Sequence, residues 1–236
     1  MSIEVRNITV GYIKDVPILK RVSIKAEKSK VTVIIGPNGS GKSTLLKTIF
    51  GFLKPTEGEI FHNGEKITGL PPHKIIRRGI GYLAQAKSFF PELSILENLE
   101  LGGWILRTKG DLKKALEAVF DRHPMFEERK QEKAGKLSGG QQRLLELDRS
   151  LMTKPNVILL DEPSAGLAPK FVNRIYQDIR DLRDAGFTVL LVDQNVKSAL
   201  ELADYVYVLQ LGRISREGPG EELRANINKI IQEWLI

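Results

Sequence analysis

This chain of 236 residues has no cysteine, three histidines and an aromatic content of 7%. Without cysteine there can be no disulfides and no thiolate metal sites, which agrees with a cytoplasmic location. His62, His73 and His123 are scattered and show no metal-ligand spacing. No apolar run approaches the roughly 20 residues that a membrane-spanning helix needs. Met1-Ser2-Ile3-Glu4 leads directly into a strand pattern, so no secretory signal is expected. Basic patches interleaved with aromatics are missing as well. The net charge of +7 is spread along the chain, as on a solvated surface, and no nucleic-acid partner is expected. Repeats, low-complexity tracts and linkers are also lacking. The length suits one α/β domain spanning residues 1–236.

The most informative stretch is Gly36-Pro37-Asn38-Gly39-Ser40-Gly41-Lys42-Ser43, which matches the phosphate-cradle pattern G-x-x-x-x-G-K-[ST]. Its context supports the match. Val31-Thr32-Val33-Ile34-Ile35 reads as a buried strand, and Thr44 begins a run with helical apolar spacing through Phe50. Glycines let backbone N–H groups turn inward around an anion, and the new helix aims its positive end at the same point. Lys42 is placed for the β- and γ-phosphates of a nucleoside triphosphate, and the Ser43 hydroxyl for Mg²⁺.

A second buried strand, Val157-Ile158-Leu159-Leu160, ends in Asp161-Glu162. Ligands of doubly wound sheets bind at that end of a strand. Asp161 is expected in the Mg²⁺ shell and Glu162 as the base that polarises the attacking water. A third motif, Leu137-Ser138-Gly139-Gly140-Gln141-Gln142, opens an amphipathic helix with Leu144, Leu147 and Leu151 on its apolar side. Alone it reads as a serine N-cap followed by flexible glycines.

In this order and spacing the three motifs resemble those of ATP-binding-cassette ATPases, and the resemblance spans essentially the whole chain. It implies a P-loop α/β core, an N-terminal antiparallel β subdomain and a helical signature subdomain over roughly residues 86–155. It also implies ATP and Mg²⁺ as cofactors, Tyr12 as the ring that stacks on adenine, and Gln85 as a Mg²⁺-sensing glutamine. In such proteins Ser138, Gly139, Gly140 and Gln141 of one subunit close on the triphosphate held by another. A dimer follows, with itself or with a related ATPase. Residues 86–102, which include Phe89-Phe90-Pro91, are where the resemblance places contact with membrane permease subunits. The stretch Phe90-Pro91-Glu92-Leu93-Ser94-Ile95-Leu96-Glu97-Asn98-Leu99 is similar to its counterpart in branched-chain amino acid importer ATPases, as is Glu162 through Pro169. ATPases for urea, amide or lipopolysaccharide transport share parts of both. The resemblance therefore implies a peripheral ATPase on the inner face of the cell membrane.

Soluble cassettes are the competing class. About ninety residues separate Ser43 from Leu137, too few for the long coiled coil of a DNA-maintenance head. A translation-associated factor would carry the motifs twice. An iron–sulfur assembly ATPase remains an alternative.

The rest of the pattern is coarser. Residues 1–35 alternate as β-hairpins, and Gly58–Gly64 reads as a strand ending in an Asn-Gly turn. Asp111 is the expected cap of a helix that stops before Pro124. Strands are expected at Thr188–Val192 and Tyr205–Leu209, with a helix at about 195–203 between them. Ile227, Ile230, Ile231, Trp234 and Leu235 fall on one face of a terminal helix. Three positions depart from the family pattern. Gln194 stands where a histidine usually touches the γ-phosphate, and we expect it to act catalytically. Ala168 stands where aspartate is usual. Glu146 and Asp148 replace small apolar residues on the signature helix. There Glu146 is expected to pair with Arg149, and Asp148, on the row of Leu145 and Met152, needs a partner.

Overall fold

The computed structural model describes residues 2–227 apart from 14 and 107. β1 (Ile3–Val10) and β2 (Leu19–Ala26) pair antiparallel. The alternation Ile3/Val5 slips by one before Ile8/Val10, where the register shifts. Asn7 absorbs the slip at φ 49°, a left-handed conformation that asparagine tolerates. The hairpin pattern ends there. β3 (Val31–Ile35), grouped with the hairpins by its sequence, lies instead inside a second, parallel sheet. Its unbroken apolar run is the reason, since only a strand covered on both faces hides five consecutive residues.

β3 runs through the glycine-rich loop into α1 (Lys42–Ile49). β4 (Glu57–His62) pairs with the free side of β1 and turns into β5 (Glu65–Lys66). That turn is the expected one, with Asn63 and Gly64 both at positive φ (54° and 82°). α2 (Pro72–Ile76) and β6 (Ile80–Leu83) follow. Next come α3 (Ile95–Gly102), α4 (Lys109–Arg122), α5 (Pro124–Glu128) and α6 (Gly139–Leu151). Thr108, not Asp111, caps α4, its hydroxyl accepting from the Asp111 amide at 3.0 Å. Asp111 sits in the first turn, where its charge suits the positive end of the helix. The chain continues through β7 (Val157–Asp161), α7 (Pro169–Asp184), β8 (Thr188–Val192) and α8 (Val196–Leu202). It closes with β9 (Tyr205–Gln210), β10 (Arg213–Pro219) and α9 (Gly220–Ala225). The expected terminal helix lies, beyond Ile227, outside the described residues.

Four strands form an antiparallel sheet in the order β2-β1-β4-β5, and six form a sheet in the order β10-β9-β3-β8-β7-β6. All pairings in the second sheet are parallel except β10 with β9. Period-two alternation divides the interior between its faces. Val33, Ile158, Leu160, Leu191 and Val206 join the helices in one cluster, whereas Ile34, Leu159, Leu190 and Leu209 join the antiparallel sheet and α1 in the other. Phe126 of α5 is wholly buried among the helices, so its truncation to alanine should cost about 3–5 kcal/mol.

Asp148 finds its partners on α4 and the residue that follows it. Its carboxylate accepts from Arg122 at 2.6 Å and faces the His123 Nδ1 at 2.7 Å. The other ring nitrogen of His123 lies 3.2 Å from Asp178 on α7, which Arg174 also approaches at 3.0 Å. Both carboxylates are fully buried. Burial alone would lower the His123 pKa, but the hydrogen bond to Asp148 and the adjacent Asp178 carboxylate, with the charges of both, raise it to about 9. Glu146 also departs from expectation. It pairs with Arg143 at 3.1 Å, while Arg149 reaches the Ser88 carbonyl and lies over the Phe90 ring. Arg143 is the nearer partner because Glu146 faces inward, under the loop at Ser88.

Candidate nucleotide site

The glycine-rich loop and α1 build the cradle. Gly41 adopts φ 107°, and a Cβ there would meet Leu19 at 2.5 Å, so only glycine fits. No side chain caps α1. Its first amides are therefore left for an anion, as at other helix N-termini. Ser40 Oγ is buried with no hydrogen-bond partner. Lys42 Nζ donates to the carbonyls of Gly36 at 2.8 Å and Pro37 at 3.0 Å. Burial pulls its pKa down, and the charges of Glu162 and Asp161 oppose that pull. A buried ammonium, an orphaned hydroxyl and a helix start with no side-chain cap, all around one loop, are the features of a phosphate site.

Parallel strand order brings the acids to the same place. β7 ends at Asp161, which is fully buried. Ser43 Oγ donates to Asp161 Oδ1 at 2.7 Å, and Tyr82 Oη donates to Oδ2 at 3.0 Å. Burial, and then the Asp161 charge, raise the Tyr82 pKa, so the phenol stays a donor. Glu162 follows with its backbone in the left-handed region at φ 49°. A glutamate is uncommon there, at a cost of roughly 1–3 kcal/mol that the surroundings must offset. The reward is orientation: the side chain turns out of the strand into the cleft. Its Oε2 accepts from Gln85 Nε2 and Gln194 Nε2, both at 2.7 Å.

Asn38, Gly39, Gly41, Lys42, Ser43, Thr44, Gln85, Glu162 and Gln194 thus line one cleft of about 350 Å³. Tyr12 lies to one side, exposed, its ring near Lys47 (3.4 Å between Oη and Nζ). Ser138, Gly139, Gly140 and Gln141 are not in this cleft. Ser138 and Gln141 form a capping box at the start of α6. A Cβ on Gly140 would strike the Phe171 ring at 2.1 Å, whereas one on Gly139 would meet nothing within 4 Å. Packing inside the chain therefore demands glycine at 140, and the surface at Gly139 stays open to approach.

Residues 19–165 match the ABC transporter family model, a span holding the loop, Ser138–Gln141 and Asp161-Glu162. This chain belongs to the ABC transporter family. A probable branched-chain amino acid transport ATP-binding protein, LivF of Archaeoglobus fulgidus, is 42% identical over 92% of this chain and 91% of its own length. The high-affinity branched-chain amino acid transport ATP-binding protein BraG of Pseudomonas aeruginosa is 40% identical over 91% and 92%. The lipopolysaccharide export system ATP-binding protein LptB of Haemophilus influenzae is 34% identical over 92% and 90%. Among solved structures, a nucleotide-free ATP-binding cassette from an ABC transporter superposes with TM-score 0.89 at 35% identity, covering 100% of this chain and 99% of that one. A dimeric bacterial ABC transporter cassette gives TM-score 0.81 at 29% identity, covering 92% and 98%.

Two residues of this ABC transporter chain that lie outside its sequence motifs also support the site. Arg143 binds the backbone on which Glu162 stands, and its signal was an arginine three residues before a glutamate on a largely buried helix. Asp193 holds the loop after Glu162, accepting from the Ser164 hydroxyl at 2.8 Å and the Asn195 amide at 3.0 Å. Only its place at the end of the buried run of β8 could have marked it.

Proposed function

We propose that this chain is the ATP-binding and ATP-hydrolysing subunit of a membrane importer for branched-chain or related hydrophobic amino acids. The observation that carries the reading is the convergence of Lys42, Ser43, Gln85, Asp161, Glu162 and Gln194 around one cleft. Near-full-length similarity to LivF and BraG supports the cargo class, at higher identity than to LptB. Residues 1–236 act as one ATPase domain in this reading, with 86–155 as its helical subdomain.

Gly36 through Thr44 would wrap the phosphates with backbone amides, and Lys42 would leave the carbonyls of Gly36 and Pro37 for the β- and γ-phosphates. Tyr12, exposed beside the cradle, offers its ring to the adenine. Ser43 and Asp161, already 2.7 Å apart, would hold Mg²⁺ together with Gln85. Bound there with the nucleotide, Mg²⁺ supplies neutralisation of the phosphate charge. Glu162 accepts a proton from the attacking water, and Gln194 turns its amide from Glu162 to the γ-phosphate. Gln85 and Gln194 both leave Glu162 Oε2 when they take up these duties, which frees the carboxylate as a base.

Two copies are required. Ser138, Gly139, Gly140 and Gln141 lie outside their own chain's cleft and would complete the partner's. The dimeric cassette supports that arrangement. Membrane subunits would dock at residues 86–102, beside a groove of about 260 Å³ lined by Phe52, Tyr82, Leu101 and Trp104. Phe52, Leu101 and Trp104 are exposed, and so is Phe90 nearby. No helix among the described residues is long and apolar enough to cross a membrane, so attachment would be peripheral, on the inner face.

Glu162→Gln tests the chemistry. Turnover should fall to background while ATP still binds, and the variant should run as an ATP-held dimer on a sizing column. Hydrolysis near the wild-type rate would place the base elsewhere. Identification of co-purifying membrane proteins tests the transport assignment.

A further inference from the structure

Glu146 is unusual for its position, and its surroundings give it a task. The Arg143 guanidinium, almost wholly buried, donates through Nη1 to the Ala84 carbonyl at 2.7 Å and to Glu146 at 3.1 Å. Nη2 donates to the carbonyls of Asp161 and Glu162, both at 3.1 Å, and Nε to that of Pro163 at 3.2 Å. One side chain of α6 thus clamps the residue before Gln85 and three consecutive residues at the end of β7. Glu146 also accepts from the Ser88 amide and, at 3.3 Å, from the Ser88 hydroxyl. The carboxylate thereby fixes both the guanidinium and the loop that carries Gln85.

We propose that Arg143 and Glu146 are positioning residues for hydrolysis: Glu146 orients the Arg143 guanidinium, which holds Glu162 in its left-handed conformation and Gln85 within reach of it. Three observations support this. The φ of 49° at Glu162 is a conformation that persists only when its surroundings over-determine it. The two carbonyls flanking the Glu162 Cα, those of Asp161 and Glu162, are the ones Nη2 binds. The planar fork of arginine can reach four carbonyls and a carboxylate together, which an ammonium cannot. Glu146 and Ser88 also line the groove beside Phe52 and Trp104, so this pair lies between that groove and the catalytic carboxylate.

The inference rests on the ATPase reading and is tested against it with the full chain. Arg143→Ala would leave Glu146 buried and unpaired and could fail to fold, so Arg143→Lys is the informative change. Steady-state hydrolysis is measured per nucleotide-binding site, with sites counted by fluorescent-nucleotide titration. Arg143→Lys should lower kcat roughly tenfold to a hundredfold, the scale of a displaced catalytic group, with KM and nucleotide affinity within about twofold because the cradle is untouched. Glu146→Ala should lose kcat similarly, and Glu146→Gln should recover only part of it, because its single carbonyl oxygen can accept from Ser88 or from Arg143 but not from both. A merely structural role would reduce the number of binding sites or the melting temperature and leave kcat per site unchanged. That result, or Glu146→Ala at wild-type kcat, overturns the proposal. A wild-type chain that binds ATP without hydrolysing it would instead overturn the ATPase reading.

Discussion

His123 makes a sharp prediction because both of its ring nitrogens face buried carboxylates, Asp148 at 2.7 Å and Asp178 at 3.2 Å. The Arg174 Nε also lies 3.3 Å from His123 Nε2, yet the two carboxylate charges favour the protonated ring, so the proton is bound more tightly in the folded chain. The pKa rises from 6.5 to about 9, which corresponds to about 3 kcal/mol of stability. The sign follows from the direction. A raised pKa contributes fully below about pH 6.5, fades at about 1.4 kcal/mol per pH unit above it, and is gone once pH exceeds about 9. At 2–4 °C per kcal/mol for a chain of this size, His123 should account for a fall of roughly 6–12 °C in melting temperature between pH 6 and 10. Other groups titrate in this range too, so the readout is a difference. Melting curves of the wild type and His123→Gln, recorded at half-unit steps, should converge by that amount as pH rises. Arg122 and Arg174 still pair with the two carboxylates in the variant, so it should fold. Parallel curves would refute the reasoning, as would an imidazole titration by NMR with its midpoint near 6.5.

Lys42→Ala should weaken ATP binding roughly 10- to 100-fold, the scale of a lost charge-assisted contact, as read by fluorescent-nucleotide titration. Gln194→Ala should lower turnover by a factor of tens up to about a thousand if its amide meets the γ-phosphate; an unchanged rate would leave Gln194 as a holder of Glu162 alone. Gln194→His should stay active and gain a pH dependence near 6–7 that the parent lacks. Phe90→Asp should abolish recovery of membrane proteins in a pull-down while shifting the melting temperature by roughly 2 °C or less, because the ring is half exposed.

What could be read from the chain alone was whatever is local. Val31–Ile35, the glycine-rich loop and α1 are contiguous, so one pattern held strand, cradle and helix together. Val157–Leu160 showed through its unbroken apolar run that β7 is covered on both faces, and the Asn63-Gly64 turn needed only the backbone freedom of those two residues. The tertiary structure decided every relation between distant segments. β3 left the hairpin region because its apolar residues on both faces needed a packed layer on each side, which its place between β8 and β9 provides. Gln85, Glu162 and Gln194 meet at one oxygen only because β6, β7 and β8 lie side by side and end at the same edge. Asp148 was legible as a buried charge in need of a partner, but the partner depended on how α4 and α7 pack beside α6. The spacing of Arg143 and Glu146 could suggest a pair, but four of the five acceptors of Arg143 are backbone carbonyls, which no side-chain pattern reveals. Periodicity and turn chemistry act over a few residues and leave their mark in order along the chain. Hydrogen bonds between elements depend on sheet order and helix packing, which are settled only when the apolar faces find one another.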